Sequence, residues 1–261
     1  VFSDGDQRTT GTILPLKASG HTYGDLIDEQ PSSWETLELR LDARVSSEED
    51  IRKLGIHVGD MIAIEPNPFF APNGFICSRH LDNKAGVAAK LAAAKAVLEN
   101  DASLPMDCHL LFTISEEVGV GASHVLHGDV AELLSVDNGT IASAQYTCDY
   151  GVTIAMQDST GPFDWHLTRS LIALCQRFGI EHSRDVFNHY RSDSAAALEA
   201  GNDIRTALAC FGLDASHGYE RTHMDSLHAL ARLLALYMQS PALFERDEMV
   251  IGPVGDLPAS D

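Results

Sequence analysis

Four acidic positions and one histidine stand where this chain could do chemistry: Asp82, Glu116, Glu117, Asp137 and His223. Asp82 follows a strand-like stretch at 75–78, Glu116 and Glu117 follow an apolar run at 108–114, and Asp137 closes another at 133–136. His223 sits just before an amphipathic stretch at 225–239. In open α/β sheets ligands gather beyond the carboxyl ends of the strands, where loops converge and helix N-termini point into one crevice. Carboxylates brought together there repel one another unless a cation neutralises them. Asp and Glu oxygens with a His nitrogen suit a pair of divalent ions, zinc first, with cobalt or manganese as alternatives. Two such ions can share a carboxylate and a water, whose pKa falls from about 15.7 to about 7. Adjacent glutamates then divide the labour: Glu117 as a ligand, Glu116 as the general base that takes the water's proton and hands it to the leaving amine. Each residue alone has a plainer reading, as a helix cap, a solvated pair, a turn before Asn138-Gly139 or an ordinary histidine, so the inference belongs to the set.

The elements that must position these residues can be read from periodicity. From Phe75 onward helix and strand patterns alternate, the signature of an α/β domain with a mainly parallel sheet. Helical spacing of apolar residues marks 84–99, with Asp82 as its cap, and again 163–178 and 225–239. Strand patterns mark 108–114, 133–136, 151–157 and 206–210. Residues 1–76 have a different texture, rich in Gly, Pro and Asp with short alternations such as Leu37-Glu38-Leu39-Arg40-Leu41. They predict a small β unit with one short helix from Ser46 to Gly55 and a further strand beginning at Val58-Gly59-Asp60. Residues 252–261 predict an irregular tail.

Composition narrows the partners. With 18 Lys and Arg against 38 Asp and Glu, the 261 residues carry a net charge of −20, which repels phosphate backbones and anionic lipid, so nucleic acid and membrane surfaces are poor partners. Five scattered cysteines without a CxxC pair argue against a disulfide framework and for a reducing, cytoplasmic setting. No stretch approaches the roughly 20 apolar residues of a membrane span. Gly119-Val120-Gly121 before His124 fails as a dinucleotide fingerprint, and neither a GxSxG elbow nor an HExxH pair occurs.

The strings Ser78-Arg79-His80-Leu81-Asp82-Asn83-Lys84-Ala85-Gly86, Ser115-Glu116-Glu117-Val118-Gly119, Val136-Asp137 and Arg221-Thr222-His223 resemble, in this order, the metal and catalytic motifs of the glutamyl, deblocking and tetrahedral aminopeptidase family. Gly11-Thr12-Ile13 and Leu54-Gly55-Ile56-His57-Val58-Gly59-Asp60 resemble that family's small β-barrel adaptor domain. The resemblance implies a three-layer α/β zinc-peptidase-like catalytic domain at 77–261 and a partial adaptor, used for dimerisation, at 1–76. It implies two divalent ions bridged by Asp82, with Glu117 and His223 completing one ion's ligands, Asp137 serving the other, and Glu116 as base. It further implies hydrolysis of N-terminal residues from small peptides, and homo-oligomers in which dimers build a larger particle. The resemblance also implies a His-x-Asp motif ahead of the adaptor, which supplies the remaining ligand beside Asp137; the His-x-Asp spacings in this sequence, at His80-Leu81-Asp82, His127-Gly128-Asp129 and His223-Met224-Asp225, all follow the adaptor-like region, and His21 and His57 fall elsewhere, which implies a catalytic domain lacking its N-terminal segment. Asp149-Tyr150-Gly151-Val152-Thr153-Ile154 and Gln157-Asp158-Ser159-Thr160-Gly161-Pro162 resemble the family's bacterial branch linked to synthesis of a dipeptide-amide osmoprotectant. Against the enzyme stand two alternatives: an inactive assembly or binding module of the same fold, and a metal-dependent deacylase or carboxypeptidase.

Overall fold

The computed structural model describes residues 1–3 and 7–244, so the expected tail at 252–261 lies outside the described residues. The chain divides into two compact units, Val1–Glu65 and Pro66–Asp261. The division falls before the position near 76 expected from sequence, because the strand at 75–78 pairs within the second unit.

The first unit holds a two-stranded antiparallel sheet of β1 (Gly11–Pro15) and β2 (Leu37–Leu41), with a one-turn helix α1 (Gly20–Tyr23) between them. Helix α2 (Glu48–Lys53) starts where the sequence predicts it, the Ser47 hydroxyl accepting the Asp50 N–H. The strand expected from Val58 does not form. Gly59 has φ +102° and the Asp60 carboxylate accepts the His57 N–H, which turns the chain instead. Among the described residues this unit closes no barrel.

The second unit begins with β3 (Phe69–Phe70), β4 (Phe75–Ser78) and the long helix α3 (Leu81–Glu99). Strand β5 (Glu132–Thr140) and β6 (Val152–Asp158) follow, then the short β7 (Gly161–Pro162) and helix α4 (Trp165–Phe178). Next come β8 (His182–Val186), α5 (Asp193–Glu199), β9 (Arg205–Leu213), β10 (Glu220–His223) and α6 (Met224–Met238). The main sheet runs β5-β9-β6-β7, with β8 also on β6. Its parallel character resides in the β5–β9 and β6–β8 pairs, while β6 meets β9 antiparallel. A smaller antiparallel sheet runs β10-β4-β3.

Strand alternation sorts the core into layers. Ala207, Ala209, Phe211 and Leu213 of β9 join the α3, α4 and α6 side chains in one cluster, while Leu208 and Cys210, facing the other way, pack with Phe163 and Phe187. On β5, Val136 belongs to the first cluster, and Ser135 points oppositely to meet Ser194 of α5 at 2.7 Å. Helices thus cover both faces of the sheet, as the sequence predicts.

The expected strand at 108–114 is irregular backbone. Among the described residues β5 is an edge whose only ladder is to β9, and a β pattern without a partner has nowhere to place its backbone hydrogen bonds. Phe112 and Ile114 are exposed accordingly. No helix among the described residues is long and apolar enough to cross a membrane.

A candidate metal centre in the second unit

Asp82, Glu116, Glu117 and Asp137 all line one cleft of about 640 Å³, together with Asn138, Tyr190, Arg191, Asp193 and His217. Four of the five residues expected from sequence are therefore brought together.

Asp82 does not cap α3. Residue His80, at φ +64°, precedes the helix, and Asp82 itself has a non-helical ψ of 108° inside the first turn, so its carboxylate is free to face the cleft. Asp137 lies inside β5, almost wholly buried, its Oδ1 accepting the Asn138 N–H at 2.7 Å and the Asn138 Nδ2 at 3.2 Å. Glu116 and Glu117 sit on a single 3-10 turn, Glu116–Val118, that follows Ser115. Asp193, the first residue of α5, holds that turn's neighbourhood: its carboxylate accepts the Thr113 hydroxyl at 2.6 Å and the Ala122 N–H at 3.0 Å. Gly121 makes this possible, since a Cβ there would lie 2.1 Å from Asp193 Oδ1 and 3.0 Å from Glu116 Cα.

Three of these carboxyls are pushed up to about 7. Burial is the leading cause for each; the charge of Asp137 adds to it at Asp82, that of Asp193 at Glu116, and that of Glu116 at Asp137. The Tyr190 hydroxyl lies beside Asp137 and lowers its pKa somewhat, yet no hydrogen bond of ordinary geometry closes between them. Such crowding is costly while the groups are ionised and is relieved by a cation.

The histidine of the cluster is His217, not His223. Nε2 of His217 lies 3.4 Å from Asp82 Oδ2 and 3.3 Å from Glu117 Oε2, and ligand atoms of these three residues all fall within 4.8 Å of one another. His223 is committed elsewhere. Its Nε2 meets the Asn73 carbonyl at 2.9 Å and its Nδ1 accepts the Asp225 N–H at 3.1 Å, capping α6. The ring packs edge-on to Phe75 and Tyr150 in the space left by Gly74, whose Cβ would sit 2.6 Å from Nε2. With both nitrogens engaged, His223 has no lone pair to give a metal. His217 had a signal in sequence: it is the first histidine beyond the carboxyl end of β9, the same criterion that selects the carboxylates.

The donor set fits a divalent metal ion. Asp82, Glu117 and His217 offer two carboxylate oxygens and an imidazole nitrogen to one centre, a combination suited to zinc and its neighbours. Asn138 lines the same cleft with its Oδ1 buried and unpaired.

Comparison with known proteins bears on the family and the fold. The family model for M42 glutamyl aminopeptidases matches residues 1–233. A protein of Bacillus subtilis (strain 168) named "Putative aminopeptidase YhfE" is 39% identical over 232 residues, covering 89% of this chain and 67% of that protein. Among solved structures, a TET aminopeptidase from the marine sediment archaeon Thaumarchaeota archaeon SCGC AB-539-E09 superposes with TM-score 0.78 at 16% identity, covering 88% of this chain and 66% of that one. The aminopeptidase APDkam598 from Desulfurococcus kamchatkensis gives TM-score 0.74 at 18% identity, over 92% and 68% of the two chains. The TET1 peptidase of Pyrococcus horikoshii, which can assemble into a tetrahedron or a large octahedral shell, gives 0.67 at 20% identity, over 80% and 64%. At these identities the structural likeness establishes the fold. The chain spans about two thirds of the length of these relatives.

Proposed function

The chain belongs to the M42 glutamyl aminopeptidase family, and from that premise we propose that it is a metal-dependent aminopeptidase removing N-terminal residues from small peptides. The observation that carries the proposal is the meeting of Asp82, Glu117 and His217 within 4.8 Å in a cleft where three carboxyls are held near 7. Asp82, Glu117 and His217 would hold one ion, and Asp82 with Asp137 would border a second. Bound there, divalent ions polarise the scissile carbonyl and ease deprotonation of water near neutral pH.

The remaining work falls to the protein's own groups. Glu116, next to the ligand Glu117 but outside the ligand cluster, accepts a proton from the attacking water at its carboxylate and delivers it to the departing amine nitrogen. Half-burial and the Asp193 charge raise its affinity for a proton to about 7, the range in which one carboxyl serves as base and then as acid at physiological pH. Asp193 keeps the Glu116 loop in register through Thr113 and Ala122. The cleft, about 640 Å³, has the size of a small-ligand site and admits a short peptide end.

Five unpaired thiols favour a reducing compartment. The first unit, with its exposed two-stranded sheet, would serve as an adaptor for self-association, since edge strands are commonly covered by a partner. The intact protein, stripped with a chelator and then given zinc, cobalt or manganese in turn, is to be assayed on aminoacyl-nitroanilides and on their N-acetylated counterparts. Hydrolysis restored by metal and confined to free-amine substrates is expected. Turnover of the blocked substrates instead would make the protein a deacylase or another peptidase type, and no metal bound at all would make it an inactive module.

A further inference from the structure

Glu220 is one of the most completely buried charged side chains of the described residues, 1% exposed, and it belongs to no motif that marks the site. Burying a carboxylate without partners is expensive, so its contacts identify its task. Oε2 accepts the main-chain N–H of Leu81 at 2.5 Å and of Asp82 at 3.1 Å, while Oε1 accepts the N–H of His217 at 3.0 Å. One oxygen therefore serves the turn that carries Asp82 and the other the turn that carries His217, two segments about 135 residues apart that share no other hydrogen bond to Glu220. Both turns need outside support. His80, just before the first, has φ +64°, and His217 itself has φ +67°, a left-handed region that residues with a Cβ rarely keep unless their surroundings impose it.

The strand pairing explains why Glu220 can reach both. In the β10–β4 ladder Glu220 stands opposite Ser78, the last residue of β4, beyond which the chain turns through His80 to Asp82. Upstream of Glu220 only Gly218 and Tyr219 separate it from His217. The carboxylate thus spans the gap between two imposed turns and sets the separation of the side chains they present.

We propose that Glu220 is the positioning residue of this centre, clamping the Asp82 and His217 backbones so that their side chains meet at ligand distance before any ion arrives. The inference rests on the metal-site reading given above. It makes preorganisation, and with it metal affinity, depend on a residue that never touches the ion. Partners that orient metal ligands commonly contribute 10-fold to 100-fold in affinity.

The test is Glu220→Gln in the intact protein. The amide retains size but has one acceptor oxygen, so either the Leu81–Asp82 pair or His217 faces an NH2 group instead. Zinc affinity is measured by competition with a chromophoric chelator, and Tm is read with and without zinc. The clamp predicts a loss of affinity of about 10-fold to 100-fold and a smaller zinc-induced rise in Tm. A purely structural role lowers both melting temperatures equally and leaves affinity alone; that result overturns the proposal. Should the glutamine variant not fold, Glu220→Asp, which keeps the charge but is too short to reach both turns, is read in the same way. Unchanged zinc affinity in it, or failure of both variants to fold, overturns the assignment. If the unaltered protein binds no zinc, or Asp82→Ala binds as well as it does, then the metal-site reading fails, a result distinct from failure of the clamp alone.

Discussion

Replacing Asp137 by Asn in metal-free protein isolates the cost of holding that carboxyl in place. Burial first, then the Glu116 charge, lift Asp137 from an ordinary 3.8 to about 7, against hydrogen bonds from Asn138 that pull it down. In the unfolded chain the same group ionises near its ordinary value. Between roughly pH 4 and 7 the folded state therefore keeps a proton that the unfolded state has released. Stability contributed by the proton is present below pH 4, falls as pH rises through this window, and is gone above about 7. A lift of this size is worth about 4 kcal/mol for an isolated group. Asp82 and Glu116 titrate in the same range and relieve one another when one stays protonated, so a single substitution should recover about half, roughly 2 kcal/mol. For a unit of this size that is about 4–8 °C in Tm. The asparagine keeps an oxygen for the Asn138 donors, so no hydrogen bond is lost to confuse the comparison. Thermal melts of chelator-treated protein between pH 4.5 and pH 8.5 should show the variant's advantage growing with pH to about that value, and added zinc should reverse it by stabilising the unaltered protein more. An advantage independent of pH, or a variant that melts lower at pH 8.5 without metal, would refute the electrostatic account of the cleft.

Three further outcomes are expected. Glu116→Gln should retain bound metal by elemental analysis while kcat falls about 100-fold to 10,000-fold; loss of metal instead would make Glu116 a ligand. His217→Ala should lower metal affinity at least about 10-fold with little change in metal-free Tm, whereas His223→Ala should leave affinity alone and cost about 1–3 kcal/mol of stability through the lost α6 cap and ring packing; calorimetric titration beside thermal melts separates them. Gly121→Ala, whose Cβ would meet Asp193 Oδ1 at 2.1 Å, should cost about 1–3 kcal/mol and reduce kcat by moving the Glu116 turn, a reasoning that a fully active, equally stable variant would defeat.

Sequence periodicity located elements well where a residue's neighbours lie within its own segment. The helices expected at 84–99, 163–178 and 225–239 correspond to α3, α4 and α6, and the strand patterns at 133–136, 151–157 and 206–210 to β5, β6 and β9. It failed where the outcome depended on a distant partner. Residues 108–114 have the pattern of a strand and the described chain offers them no ladder. Val58-Gly59-Asp60 reads as extended until the Asp60 carboxylate captures the His57 N–H and Gly59 takes a positive φ. Asp82 looks like a cap because aspartate before a helical run usually is one, but the turn begins at His80 and leaves its carboxylate for the cleft.

That His217 and not His223 stands beside Asp82 and Glu117 has a geometric cause. The rule that sites form beyond the carboxyl ends of strands holds for parallel strands, whose carboxyl ends lie on one side of the sheet. Strand β10 runs antiparallel to β4, so the carboxyl end of β4, where Asp82 follows, meets the amino end of β10. His223 closes β10 opposite Phe75, at the wrong end, and three residues of extended chain put its backbone about 10 Å from that of Glu220. His217, just before β10 begins, is at the right end. Strand direction is a property of the ladder and not of either strand's residues, so Arg221-Thr222-His223 read as a string does not show at which end of the sheet its histidine stands. The same reversal puts Glu220, the first residue of β10, within reach of the turns that carry Asp82 and His217, so the pairing that carries His223 away from Asp82 is the one that allows the proposed clamp.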